Sequence, residues 1–277
     1  MQLLRLFEGC RATASGAQSC RKHLRLSTIY ATHQIMKIRS SFLTPAAWPL
    51  LIAAIIVVFV STAGGQTSIF AVPTAEIHDK GSFYVEADLF AHFDKFERGG
   101  FRSFGPSVIY GVNKRLEVGV NLYATQDGGT TQYELEPNIK FKALDQEKVG
   151  VDVAVGAIAY LPLDRSSDTR SSAMLYSVAT RKFSSAKDLA LTGGIYHVVG
   201  GTSDMGTRTG VLLGVQQPVT KRLTLLADWT SGKNRFGYSN AGIGYDVTDR
   251  QYFMIGYAFG NSGRANNYLN LFYGFTF

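Results

Sequence analysis

Beyond residue 65 this chain contains no cysteine; Cys10 and Cys20 both precede it. Disulfide staples, thiolate metal sites and a cysteine nucleophile are thereby excluded from the body of the protein. The absence suits a chain that passes through an oxidising compartment and must not be trapped there. Charge is also scarce, at 18% of residues, and the formal net charge of +7 belongs to the leader. Seven of the 28 Lys and Arg residues lie before residue 66, but only one of the 21 acids, Glu8; the rest of the chain carries 21 basic and 20 acidic residues. No polybasic patch survives there, so nucleic acid is not an expected partner. A sustained period of 3.6 is missing, which argues against a helical domain. So are a G-x-S-x-G elbow and a metal-spaced histidine pair. The apolar run Leu50–Val60 is 11 residues long, against about 20 for a helix that crosses hydrocarbon.

That run has another reading. From Met36, Lys37 and Arg39 form a basic n-region, Leu50–Val60 an apolar core, and Ser61-Thr62-Ala63 a small-residue cleavage site. Residues 36–63 are therefore expected to be a secretory signal. Residues 1–35 precede a complete signal, either as an upstream-start artefact or as an extended n-region. Residues 64–81 are expected to be a periplasmic N-terminal segment, and 82–277 to be the folded body.

The body is rich in Gly (29), Phe (18) and Tyr (14), and it alternates. Phe83, Val85, Ala87, Leu89 and Ala91 share one face of 82–92, with Tyr84, Glu86, Asp88, Phe90 and His92 on the other. The same period of two runs through 116–126, 132–142 and 149–161, the last starting its apolar face at Val149. Three turns resemble each other, "GVNKRLEVGV", "PVTKRLTLLA" and "DVTDRQYFMI". With "ALDQEK" and "SSAKD" they make five short turns, alternating with six longer loops rich in Gly, Asp and Asn. This count gives twelve strands, with both ends on one side. Short turns on one side and longer loops on the other are the grammar of a transmembrane barrel. Gly119, Gly156, Gly194 and Gly214 on the polar face weaken a soluble sheet but spare room inside a barrel. Open edges are not viable in lipid, so the sheet must close. The expected fold is all-β, a twelve-stranded antiparallel up-and-down transmembrane barrel.

"LNLFYGFTF" then reads as the last strand, with Leu269, Leu271, Tyr273, Phe275 and Phe277 toward lipid. Tyr273, Phe275 and Phe277 resemble the carboxy-terminal signal read by the outer-membrane barrel-assembly machinery. Aromatic girdles are expected near strand ends, with Trp229, Phe259 and Tyr110 among them. "PTAEIHDKGSFYVEADLF" and "FGPSVIYGVNKRLEVGVNLY" are similar to the outer-membrane proteins of the MetA pathway of phenol degradation family. The resemblance implies a barrel connected with uptake of aromatic compounds, and it transfers no functional residues.

The candidate lumen residues are Glu86, Asp88, Glu117, Asn121, Tyr123, Glu134, Glu136, Lys140, Asp152, Tyr160, Arg208 and Asp228. Twelve strands leave a lumen wider than the roughly eight-stranded barrel that side chains alone fill. Acidic rings bias a pore toward cations or polar neutral solutes. Two readings stay open: a solute channel, and a closed barrel whose charges pair across the lumen. A lipid-modifying enzyme is the weaker third. Of the body's histidines, His78 precedes the first strand, His92 sits at a lumen-side strand end, and His197 falls on the lipid-facing register. No enzyme, cofactor or metal is expected. The expected partners are outer-membrane lipid, the assembly machinery with periplasmic chaperones, and small-molecule solutes, with a monomer as the default. The six loops are short, and none is expected to fold inward as a long constriction. The segment before the first strand is able to enter the lumen from the periplasmic side.

Overall fold

The three look-alike turns are one structure built three times. Asn113 Oδ1 accepts the backbone N–H of Arg115 at 2.8 Å, and Thr220 and Thr248 accept those of Arg222 and Arg250 at 3.2 Å each. A short polar side chain thus bends the chain back on itself. The carbonyl of each arginine then accepts an amide from the adjoining strand: Lys142 (2.7 Å), Asp246 (2.9 Å) and Thr276 (2.9 Å).

The computed structural model describes residues 67–164, 170–263 and 266–277. The upstream extension, the secretory signal and residues 64–66 lie outside the described residues. Twelve strands run in order: β1 (Phe83–His92), β2 (Phe101–Asn113), β3 (Leu116–Gln126), β4 (Thr131–Leu144), β5 (Asp152–Pro162), β6 (Ser172–Phe183), β7 (Leu189–Gly200), β8 (Thr209–Pro218), β9 (Leu223–Thr230), β10 (Tyr238–Thr248), β11 (Gln251–Gly260) and β12 (Tyr268–Thr276). Each pairs antiparallel with its sequence neighbours, and β1 closes on β12. At that seam Tyr84 faces Thr276 and Ala91 faces Leu269. The Phe83 and Phe277 backbones exchange hydrogen bonds of 3.2 and 2.8 Å. The fold is the closed, all-β, twelve-stranded barrel that the alternation implies.

The faces sort as a barrel in lipid requires. Outward residues include Val120, Ile139, Val155, Leu175, Ile195, Leu213 and Leu225, all exposed. Outward aromatics gather at the two rims, with Trp229, Tyr257 and Phe259 near the loop end and Phe83, Phe141, Tyr245 and Tyr273 near the termini. Tyr110 packs against Phe83 with ring centroids 4.6 Å apart and the rings tilted.

One expectation needs correction, and two features go beyond the expectations. Val149 is not in β5; it ends a one-turn helix, Gln146–Val149, stopped by Gly150 at φ +82°. Asp152 Oδ1 accepts the Gln146 amide at 2.8 Å, so the strand starts only there. The loop 231–237 does fold inward, packing Phe236 against Tyr160 at 4.8 Å between ring centroids. The interior is also not uniformly polar. Across β5–β8, Ala154, Met174, Tyr176, Val178, Val198 and Leu212 form an apolar cluster, and Leu226, Met254 and Phe272 contribute to a second.

Candidate functional site

What those apolar clusters pack against is the chain itself. Residues 67–78 lie inside the barrel, starting as a tight hairpin in which Ile69 N–H bonds Val72 C=O (2.9 Å) and Thr74 N–H bonds Thr67 C=O (3.0 Å). Val72 and Ala75 join the β5–β8 cluster, while Ile69 and Phe70 join the other. Burying each of the larger apolar side chains is worth roughly 1.5–3 kcal/mol. Lumen glycines make the room. A Cβ on Gly214 would strike Ile69, and one on Gly256 or Gly242 would strike the Phe70 ring.

Polar anchors fix the segment from four strands. Asp228 Oδ2 on β9 accepts the amides of Ala71 (2.7 Å) and Val72 (2.9 Å). Thr180 Oγ1 on β6 accepts the amide of Ala75 at 2.9 Å. On β3, Glu117 takes the Thr67 hydroxyl at 2.9 Å and the His78 amide at 2.8 Å. Lys140 lies 2.8 Å from Glu117 and donates to the carbonyls of Thr67 and Glu76, both at 2.9 Å. Glu76 also pairs with Lys182. Once buried, a charge must keep such partners, because an isolated one is costly. His78 stacks on Tyr84 at 5.0 Å, and neither of its ring nitrogens has a hydrogen-bond partner. Burial pushes its pKa below 6.5 against the nearby Glu117 carboxylate, which works in the opposite direction.

Space remains between this segment and the loop end. A cavity of about 410 Å³ has Phe70 and Ala71 on one side and Arg235 and Phe236 on the other. A mouth cavity of about 810 Å³ lies among the loops, and the two share Thr125, Glu134, Arg235 and Tyr238 as walls. Arg235 bonds both carboxylate oxygens of Glu134 and lies 4.8 Å over the Tyr160 ring.

The candidate residues fall into four groups. Asp88, Tyr123, Glu86, Asn121, Glu134, Glu136 and Tyr160 line the 410 Å³ cavity. The Tyr123 hydroxyl donates to Asp88 Oδ2 at 2.5 Å, Tyr84 donates to Glu86 at 2.6 Å, and Asn121 reaches Glu136 at 3.4 Å. Glu117 and Lys140 line the cavity too, and together with Asp228 they hold the N-terminal segment. Asp152 pairs with Lys142 at 3.0 Å near the termini. Arg208 faces its own loop, where it donates to the carbonyls of Gly200 (2.6 Å) and Thr202 (2.9 Å). Sequence reasoning missed Asn240 and Asn270, which continue a buried chain from Asp228 at 2.6 and 2.8 Å. Both stand on the inward register, and that was their only signal. His92 faces the lumen rim and contacts the Asn267 carbonyl, whereas His197 is exposed on the outer face beside the Thr209 hydroxyl at 2.7 Å.

Closure, outward apolar belt and charged lumen together define a barrel of the outer-membrane type. No family model and no curated protein matches the chain. Among solved structures it is similar to an outer-membrane channel from Pseudomonas putida F1, with a TM-score of 0.51 and 12% identity over 73% of this chain and 98% of that one. Outer membrane phospholipase A from Escherichia coli aligns at TM-score 0.42 and 15% identity, over 77% and 98%. A Rh. blastica porin mutant aligns at 0.33 and 12%, over 71% and 99%. The channel likeness supports the fold; the other two are too distant to carry an argument.

Proposed function

We propose that this protein is an outer-membrane channel for passive passage of small solutes, held shut in the described arrangement by residues 67–81. The observation that carries this reading is the construction of the closure. The wall is complete without the segment, and what fills the lumen is a separate strip of chain. That strip is held by hydrogen bonds and apolar contacts that reverse without breaking a covalent bond. Above it, the charged cavity and the mouth are already open space. Removing the strip would leave the wide lumen expected of twelve strands.

Carboxylates outnumber cations around that space, which favours cations and polar neutral solutes over anions. The tyrosine and phenylalanine walls, and the resemblance to the MetA pathway of phenol degradation family, favour ring-sized solutes. The reading assigns no catalysis: His92 and His197 stand on opposite faces of the wall, partnered by a carbonyl and a threonine hydroxyl. A permanently closed structural barrel is the rival, favoured by the same segment.

Planar-bilayer recordings separate the two. The purified protein should show discrete openings that prefer cations, and Glu134→Gln with Glu136→Gln should lower that preference. Silence across voltage and salt, persisting in variants that loosen residues 67–81, would overturn the channel reading in favour of the closed barrel.

A further inference from the structure

The 410 Å³ cavity has a built wall whose hydrogen bonding is incomplete on one side. Asp88 faces Phe272 across the β1–β12 seam, and Phe90 faces Asn270. These four side chains form a square on the inner wall. Two acceptors in it are unpartnered: Asp88 Oδ1 and Asn270 Oδ1. Both residues are almost fully buried, at 2% and 1% exposure, and both line the cavity. The orientation of Asn270 is set from behind. Its Nδ2 donates to Asn240 Oδ1, and Asn240 Nδ2 donates to Asp228 Oδ1. The amide therefore presents oxygen, not nitrogen, to the remaining side. Asp88 Oδ2 is likewise taken by the Tyr123 hydroxyl, which fixes the carboxylate. Tyr123 reaches it by lying across Gly105, where any Cβ would strike the tyrosine ring.

Aromatic rings surround this pair of acceptors. Phe90 is the hub, with ring centroids 5.6 Å from Tyr123, 5.9 Å from Tyr268 and 5.4 Å from Phe272. The ionisable groups around the cavity do not pair off. Five carboxylates and two cations line it. Lys140 is paired with Glu117 and Arg235 with Glu134. That leaves Glu86, Asp88 and Glu136 with no paired cation among the described residues. Fixed acceptors that lack donors call for a ligand that brings N–H groups. Three buried carboxyl groups without a cation call for a ligand that brings one, and rings call for an apolar body or a cation held over their faces. The volume is near the low end of the ~300–1,000 Å³ of small-molecule sites.

We propose that the cavity between residues 67–81 and the loop 231–237 is a binding site for a small organic ammonium, a protonated primary amine on an apolar, ring-sized body. The ammonium donates to Asp88 Oδ1 and Asn270 Oδ1, and the body lies among Phe90, Tyr123, Tyr268 and Phe272. The site deepens the channel reading, resting on it for the route by which the solute arrives.

The test is calorimetric titration of the full-length barrel, folded in detergent, with 2-phenylethylammonium, 2-phenylethanol and phenylacetate. The ammonium is expected to bind at least about tenfold more tightly than the alcohol, with no measurable binding of the acid. Asp88→Asn and Asn270→Leu should each weaken the ammonium about tenfold and leave the alcohol unchanged. Heat-modifiable mobility reports whether each variant folds. Should either fail, Phe90→Leu interrogates the same site through its ring wall and should weaken the ammonium too. Equal binding of the three probes, no binding of the ammonium, or folded variants that bind it as the parent does would overturn the site. Bilayer recordings on the same preparations keep the two ideas apart. Current through a barrel that does not bind the ammonium overturns the site alone, and ammonium binding by a barrel that stays silent even when residues 67–81 are loosened overturns the channel alone.

Discussion

Glu117→Ala removes the hub that holds residues 67–81 in the lumen. Glu117 takes two bonds from that segment, at the Thr67 hydroxyl and the His78 amide. Hydrogen bonds to charged groups are worth roughly 1.5–3 kcal/mol each, so their loss costs the docked state about 3–6 kcal/mol. Lys140 also loses its carboxylate, while keeping the carbonyls of Thr67 and Glu76. That penalty falls on the docked state as well, because water solvates Lys140 once the segment leaves. At about 1.4 kcal/mol per decade, the ratio of docked to released segment should fall roughly 10²- to 10⁴-fold. Amide hydrogen exchange at Val72 and Ala75 reads this directly. Those amides bond to Asp228 and Thr180, not to Glu117. They lose protection only if the segment departs as a unit, and channel open time should rise with it. Asp152→Ala, which breaks a pair with Lys142, serves as the control and should leave both readouts unchanged. Unchanged protection at Val72 and Ala75 in a folded Glu117→Ala barrel would refute the reasoning.

Val120, 40% exposed on the outer belt of β3, should cost about 2–4 kcal/mol when changed to Arg, measured by urea unfolding from lipid vesicles; a cost near zero would reverse the face assignment. His78 has a folded-state pKa below the 6.5 of a free side chain because burial disfavours its charged form. Its neutral form is the one the lumen accepts, so docking should be fully stable above about pH 6.5 and weaken as the pH falls below it. Exchange at Val72 between pH 7.5 and 5 checks this, and His78→Gln should flatten the dependence. Phe277→Asp places a charge beside Phe275 at the closing pair with Phe83; the barrel should fail to assemble, seen as loss of the heat-modifiable band, and normal assembly would count against the terminal-strand signal.

Much of this architecture was legible because a strand's side-chain period is local. Two residues apart means the same face, so Phe83 to His92 and Leu269 to Phe277 declared their sides directly. The "VNKR", "VTKR" and "VTDR" turns were legible for a similar reason, since Asn113, Thr220 and Thr248 act on an amide two residues away. That the wall encloses the segment preceding its own first strand was not legible in the same way. Ala71 meets Asp228 across 157 residues and Ala75 meets Thr180 across 105, and no period reports such a pairing. A signal existed in the strands that are apolar on both faces. Met174 and Val178 on β6, Val198 on β7 and Leu212 on β8 have no reason to face water. Their inward apolar character marks the side on which residues 67–81 lie. Arg208 carried charge but no periodic context, being just outside β8, and its bonds to loop carbonyls explain why it does not face the lumen.

The anchors of residues 67–81 stand on β3, β4, β6 and β9, spread around the wall. No pair of neighbouring strands carries them all, so the complete socket exists only after the sheet has curled and sealed. The first part of the folded chain to be synthesised is therefore the last to settle. A newly inserted barrel should pass through a hollow stage before its cork arrives.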